Sequence, residues 1–288
     1  MRDDSLPSQT ALTAAAARAA HLIVDDDPLI FSDSLAWTFL GDRAEELLGF
    51  HRIHGTHLVL VGARTAVVTR GRYTEDRLAE AIRRGVGQYV ILGAGLDSFA
   101  YRSELAGRVR VFEVDHPATQ RYKREVLADS GVVIPDSVAF VAADFETRSL
   151  AGHLVREGFD PTSPAFVCWL GVTMYLTREA IDETLKSIGA FAPGTELVVD
   201  YMVPADLRDA DGETYVTSVM PVAAENGEPW LTFLSPREMS ALLEEAGLAV
   251  TEHVRQRDAV DAALWDRRDA LRPFDLSMLA RARVRSGE

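Results

Sequence analysis

From residue 88 onward, short apolar runs alternate with longer amphipathic stretches. Residues 89–92, 109–114, 138–142, 165–170 and 196–199 each read as a strand, and 118–129 and 178–191 read as crossover helices. Apolar runs of this length are buried strands when helical stretches separate them, which is the pattern of a parallel sheet covered on both faces. Residues 236–246 form a further helix stopped by Gly247, and 248–254 a late strand. The pattern fades beyond Asp258. Upstream, residues 10–20 (TALTAAAARAA) predict an alanine-rich helix capped by Thr10, and DDDP at 25–28 ends it. Shorter helices follow between 32 and 48, and 58–84 is helical, with Arg64, Arg70 and Arg72 among small and apolar neighbours. The stretch 204–231 is rich in acids, punctuated by Pro221 and Gly227, and reads as a lid. The expectation is one α/β domain over 1–288: a helical cover (1–84), a Rossmann-like sheet core (85–203 and 232–288) and a lid insertion (204–231).

Composition narrows the partners. The 288 residues are 47% hydrophobic and 26% charged, as in ordinary soluble globular proteins. No apolar run nears the roughly 20 residues that span a membrane, so no membrane partner is expected. The opening MRDDSLPSQT lacks the apolar core of a secretory leader, and the single cysteine, Cys168, suits a reducing cytoplasm. Its setting, AFVCWL, predicts a buried structural thiol. A net charge of −14 argues against nucleic acid, whose phosphates need clustered Lys and Arg, and leaves a small molecule as the expected ligand.

The stretch VILGAGLDSFAYR (90–102) carries the first chemistry. Gly93-Ala94-Gly95 follows the first strong strand, where open α/β sheets bind ligands and where a missing Cβ lets backbone approach them. A dinucleotide fingerprint needs a third glycine, and Ser98 stands in its place. The second strand ends in VFEVDHP, with Asp115 twenty positions beyond Gly95. A carboxylate there can accept both ribose hydroxyls, in NAD and S-adenosylmethionine alike. His116 beside it faces the nucleoside. The third strand ends in AADF, bringing Asp144 and Phe145 to the same crevice as an acceptor and an aromatic wall for adenine. A nucleoside pocket without a pyrophosphate cradle favours S-adenosylmethionine. His51, His54 and His57 share a 3-and-3 spacing that matches no metal motif, so they read as a helix or turn face and no metal site is expected.

In order and spacing, VILGAGLDSFAYR, VFEVDHP, AADFE and WLGVTMYLT resemble the leucine carboxyl methyltransferase family, in particular its bacterial branch of tetracenomycin-type polyketide O-methyltransferases. SQTALTAAAARAA, PLIFSD and TRGRYTED upstream, and EPWLTFLSPREMSALLEEAGL and RRDALRP downstream, extend the likeness over nearly the whole chain. The resemblance implies a seven-stranded methyltransferase sheet in which Gly93, Ala94 and Gly95 line the methionine part of the cofactor. Asp115 would hold the ribose, and Asp144 and Phe145 would flank the adenine. Arg70 would clamp the cofactor carboxylate bidentately, with Arg72 as the alternative. Two positions depart from the family. Phe99 stands where relatives have an arginine, although Arg102 is kept, and Leu170 stands where relatives carry a glutamate that would meet the cofactor's ammonium group. The implied reaction is O-methylation of a small biosynthetic intermediate of secondary metabolism. A carboxylate acceptor is expected ahead of a phenol, because no residue is identified as a general base. Asp200 and Tyr201, at the end of the fifth strand, are expected to touch the acceptor. Two alternatives accompany this reading: a binding protein that has lost or repurposed methyl transfer, and an NAD-dependent dehydrogenase.

Overall fold

The computed structural model describes residues 8–143 and 150–286. Its core is a seven-stranded sheet of β1 (Gln88–Leu92), β2 (Arg110–Asp115), β3 (Val138–Ala142), β4 (Phe166–Trp169), β5 (Glu196–Met202), β6 (Leu248–Arg255) and β7 (Ser277–Val284). The order is β3-β2-β1-β4-β5-β7-β6, with β7 antiparallel to both neighbours and the others parallel. The connections run through α4 (Phe99–Arg102), α5 (Pro117–Asp129), α6 (Leu150–Arg156), α7 (Arg178–Gly189) and α9 (Pro236–Glu245). The sheet order reverses between β1 and β4, which is the switch point that creates a ligand crevice.

The predicted strands are present, with β5 running three residues past its expected end. Asp200 and Tyr201 therefore lie inside the strand. β7 is the element that the sequence pattern missed. Its Arg281 and Arg283 break the apolar run, yet both pair with Glu196 on β5, at 2.7 and 3.0 Å. Ion pairing lets a charged segment occupy an interior strand.

Three helices form the cover: α1 (Gln9–Val24), α2 (Ala44–His54) and α3 (Leu58–Arg83). Ser8, rather than Thr10, caps α1 through its side chain. In the 204–231 insertion, α8 (Ala210–Glu225) packs along α3, where Tyr215 and Phe274 fill the space beside Gly62 so closely that a Cβ there would lie 2.6 and 2.7 Å from them.

Arg64 ties the cover together. It is 1% exposed. Its Nε and Nη2 donate to the Asp25 carboxylate at 2.8 and 2.9 Å, and Nη2 also donates to the Gly55 carbonyl. Its Nη1 donates to His51 Nδ1 at 3.3 Å, and Asp25 also receives His21 Nδ1–H at 2.9 Å. The ends of α1, α2 and α3 thus meet on one buried charge. The three upstream histidines do separate jobs: His51 belongs to this network, His54 lies near the Phe50 ring, and His57 caps α3. Among the described residues no group of His, Cys, Asp or Glu is arranged to hold a metal.

Burial, with the Arg64 charge beside it, pushes His51 down to about pKa 4 from 6.5. The unfolded chain then binds a proton that the folded chain refuses between those values, so stability falls as pH is lowered from 7 to about 4. The full shift corresponds to roughly 3 kcal/mol. Denaturant unfolding at the two pH values should show this slope in the wild type and a shallower one in His51→Gln. Equal slopes would remove His51 from the account.

Candidate active site

Beyond β1 the chain turns back over β2: Gly93 and Ala94 both donate their N–H to the Val114 carbonyl, at 2.9 and 3.0 Å. Gly93 has φ +67°, and a Cβ on it would lie 2.3 Å from Val172 Cγ2, so a side chain is excluded twice over. The Asp115 carboxylate accepts the N–H of Gly95 and that of His116, both at 2.6 Å. It therefore fixes the glycine loop as well as facing the crevice. His116 caps α5, its Nδ1 accepting from Ala118 N–H at 3.3 Å, and still lines the crevice.

These groups open onto a cavity of about 600 Å³, within the usual range for small-molecule sites. Gly93, Ala94, Gly95, Asp115, His116 and Leu170 all line it. Asp144 and Phe145 lie outside the described residues. Tyr175, Tyr215, Ser218, Val222, Asn226 and Trp230, which the sequence pattern did not single out, add a largely aromatic part of the wall. Burial raises the phenols of Tyr175 and Tyr215, so both remain protonated at neutral pH.

Arg70 reaches the cavity from α3, and its Nη1 donates to Asp200 Oδ2 at 2.9 Å. Arg72 does not reach it. That side chain is half-exposed and pairs with Asp76 on its own helix, so Arg70 is the better candidate of the two. Arg102 is buried and pairs with Glu75, its guanidinium 4.7 Å above the Phe31 ring. Arg18 joins this group through Asp33 at 2.7 Å and the Leu96 carbonyl at 2.7 Å. The pairs Arg18–Asp33 and Arg102–Glu75 were not anticipated, although PLIFSD and TRGRYTED carry both acids. Burial drives Glu75 up to about pKa 7 against the opposing pull of Arg102. For Asp33, the Arg18 and Arg102 charges and the Ser98 hydroxyl outweigh burial and hold it low.

One expected contact is absent. Tyr201 points to the opposite face of β5 from Asp200, as neighbours on a strand must. Its hydroxyl meets His253 Nδ1 at 2.8 Å, and the residue forms no part of the cavity wall. Cys168, by contrast, is buried as anticipated, with its Sγ 3.0 Å from the Tyr89 hydroxyl.

The leucine carboxyl methyltransferase model matches residues 11–189. The chain belongs to this family. The Bacillus subtilis protein YktD, named as an S-adenosyl-L-methionine-dependent methyltransferase, is 32% identical over 290 residues, covering 93% of this chain and 95% of its own. A Mycolicibacterium vanbaalenii protein named as the same kind of enzyme is 34% identical over 203 residues, covering 68% of this chain and 63% of its own. The fold is shared with a crystal structure described as a methyltransferase from Thermobifida fusca (TM-score 0.62, 19% identity, 99% of this chain and 97% of that one). It is also shared with a DUF574 family protein from Streptomyces avermitilis (TM-score 0.60, 18% identity, 94% and 97%). As a leucine carboxyl methyltransferase family member, the chain is an S-adenosylmethionine-dependent methyltransferase.

The geometry suits that cofactor. The Gly93 cradle admits close approach where a Cβ would collide, and the Asp115 carboxylate stands at the end of β2. Losing charge-assisted hydrogen bonds to a ribose costs on the order of 1.5–3 kcal/mol. Asp115→Ala should therefore weaken S-adenosylmethionine binding by one to two orders of magnitude in calorimetric titration. A folded variant with unchanged affinity would remove Asp115 from the ribose site.

Proposed function

We propose that this methyltransferase acts on an oxygen of a small, largely apolar biosynthetic intermediate bound beside the cofactor in the same cavity. The observation that carries the reading is the continuity of that cavity. One wall takes in both the glycine loop at the end of β1 and the aromatic residues Tyr175, Tyr215 and Trp230. A bound sulfonium supplies the activated methyl group, and the chain's contribution is alignment and exclusion of water. The 204–231 insertion fits the lid role expected of it: α8 contributes Tyr215, Ser218, Val219 and Val222 to that wall. Small-molecule O-methylation also agrees with the resemblance to the tetracenomycin-type branch.

The charge around the cavity bears on the acceptor. In so acidic a protein an anionic acceptor needs arginines to offset the local field. Arg18, Arg70 and Arg102 are the Lys or Arg residues on the described cavity wall, and each is matched by a carboxylate. The aromatic part of the wall offers hydroxyls, the Asn226 amide and apolar surface, and Arg70, whose charge reaches Tyr175 and Tyr215, is already paired with Asp200. A neutral hydroxyl fits this part of the wall better than an anion.

Incubation with methyl-labelled cofactor and matched series of small acids and phenols tests the reading. The expected product keeps its label after mild base, as an aryl ether does. Label released as methanol would identify an ester and restore the carboxylate acceptor, and label on nitrogen or carbon would overturn O-methylation.

A further inference from the structure

Leu170 leaves the end of β4 without an acid, so the ammonium group of an amino-acid-bearing cofactor needs another partner. In the parallel pairing of β4 with β5, Phe166 lies beside Glu196, Cys168 beside Val198 and Trp169 beside Val199. Continued by one residue, this register sets Leu170 next to Asp200. Alternation sends Cys168 and Leu170 to the face of the sheet that α3 covers, and sends Val198 and Asp200 to the same face. The missing acid at 170 is thus matched by an acid one strand away, on the same face and at the same height.

The Asp200 carboxylate is held over the end of β4. Its Oδ1 accepts the Gly171 N–H at 2.7 Å, while Oδ2 accepts from Arg70 at 2.9 Å. Gly171 has φ +71°, and a Cβ on it would lie 2.5 Å from Arg70 Nη2, so the guanidinium packs directly against this turn. Two accepted bonds leave Asp200 with further acceptor capacity, since a carboxylate has about four lone-pair sites. Both side chains are cavity wall, with Gly93 and Leu170 on the same wall. The other acids there have different work. Asp33 and Glu75 serve Arg18 and Arg102, Asp97 accepts the Phe99 N–H at 2.8 Å, Asp115 holds the glycine loop, and Glu228 receives Ser8 and Thr10.

We propose that Asp200 receives the ammonium group of the cofactor's amino-acid end, with Arg70 beside it for the carboxylate. An acid and a guanidinium side by side match the two charges of a zwitterion, and each protein charge keeps an opposite partner when the ligand enters. This rests on S-adenosylmethionine being the cofactor. The Thr74 hydroxyl, one turn along α3 from Arg70, is buried on the cavity wall without a hydrogen-bond partner among the described residues, and adds a polar group there.

The test uses two ligands and the full chain. S-adenosylhomocysteine carries the ammonium, and its deamino analogue, 5′-S-(3-carboxypropyl)-5′-thioadenosine, keeps the carboxylate but lacks that group. In calorimetric titration, Asp200→Asn should weaken S-adenosylhomocysteine tenfold or more and leave the deamino analogue within twofold of wild type. Equal weakening of both would show that Asp200 acts only by holding Arg70 or the turn, and no weakening of either would remove it from the site. Both results overturn the proposal. Failure of the cofactor assignment itself would look different, because wild type would then bind neither S-adenosylhomocysteine nor S-adenosylmethionine.

Discussion

A guanidinium carried into the edge of a sheet by a covering helix loses its water, and that loss is tolerable only if a carboxylate meets it there. This constraint acts both within the helical cover and where the cover meets the sheet. Arg18 on α1 meets Asp33, Arg70 on α3 meets Asp200 on β5, and Arg102 on α4 meets Glu75 on α3. Behind them Arg64 meets Asp25 and joins the ends of the three cover helices. Each pair is more demanding than an apolar contact, because moving either partner strands a buried charge. The cover is therefore seated in one position, and the cavity beneath it has a defined shape.

Those pairs also explain what could be read from the chain and what could not. The strands β1, β3 and β4 are apolar on both faces, so continuous runs such as YVIL and FVCW announce them. The glycine loop and Asp115 are equally legible, because they sit at fixed offsets from strand ends. The pairing of Arg70 with Asp200 spans 130 positions, and that of Arg281 with Glu196 spans 85. Nothing local connects such residues. β7 was missed for the same reason: Arg281 and Arg283 read as surface until Glu196 is known to lie beside them. The aromatic part of the cavity wall was hidden by a different effect, since Tyr175, Tyr215 and Trp230 come from three segments with no shared spacing.

Strand periodicity decides the roles of two adjacent residues that sequence reasoning grouped together. Asp200 and Tyr201 look equivalent at a strand end, and they would be if β5 stopped at Val199. Because β5 continues to Met202, the two side chains separate to opposite faces. Asp200 goes to the α3 face with Val198, and Tyr201 goes to the face where Leu197 and Val199 pack in the larger core. Three extra residues of strand thus make one group part of the site and the other part of its support.

The balance of charge on the cavity wall bears on turnover as well as binding. Among the described residues, six carboxyl groups (Asp33, Glu75, Asp97, Asp115, Asp200 and Glu228) stand against three guanidiniums, with Glu75 titrating near neutrality. A cationic sulfonium donor relieves this excess of negative charge. After transfer the product would be a neutral thioether, to which the six acids of the wall would offer no such attraction. In a cavity screened from water such a difference is worth more than it is at the surface. Closure supports the screening, because Glu228 at the end of the insertion accepts from Ser8 Oγ and Thr10 N–H at the start of α1. Through that contact the insertion and the helical cover meet over the site. The acidity of the wall would therefore favour a charged donor over its spent form.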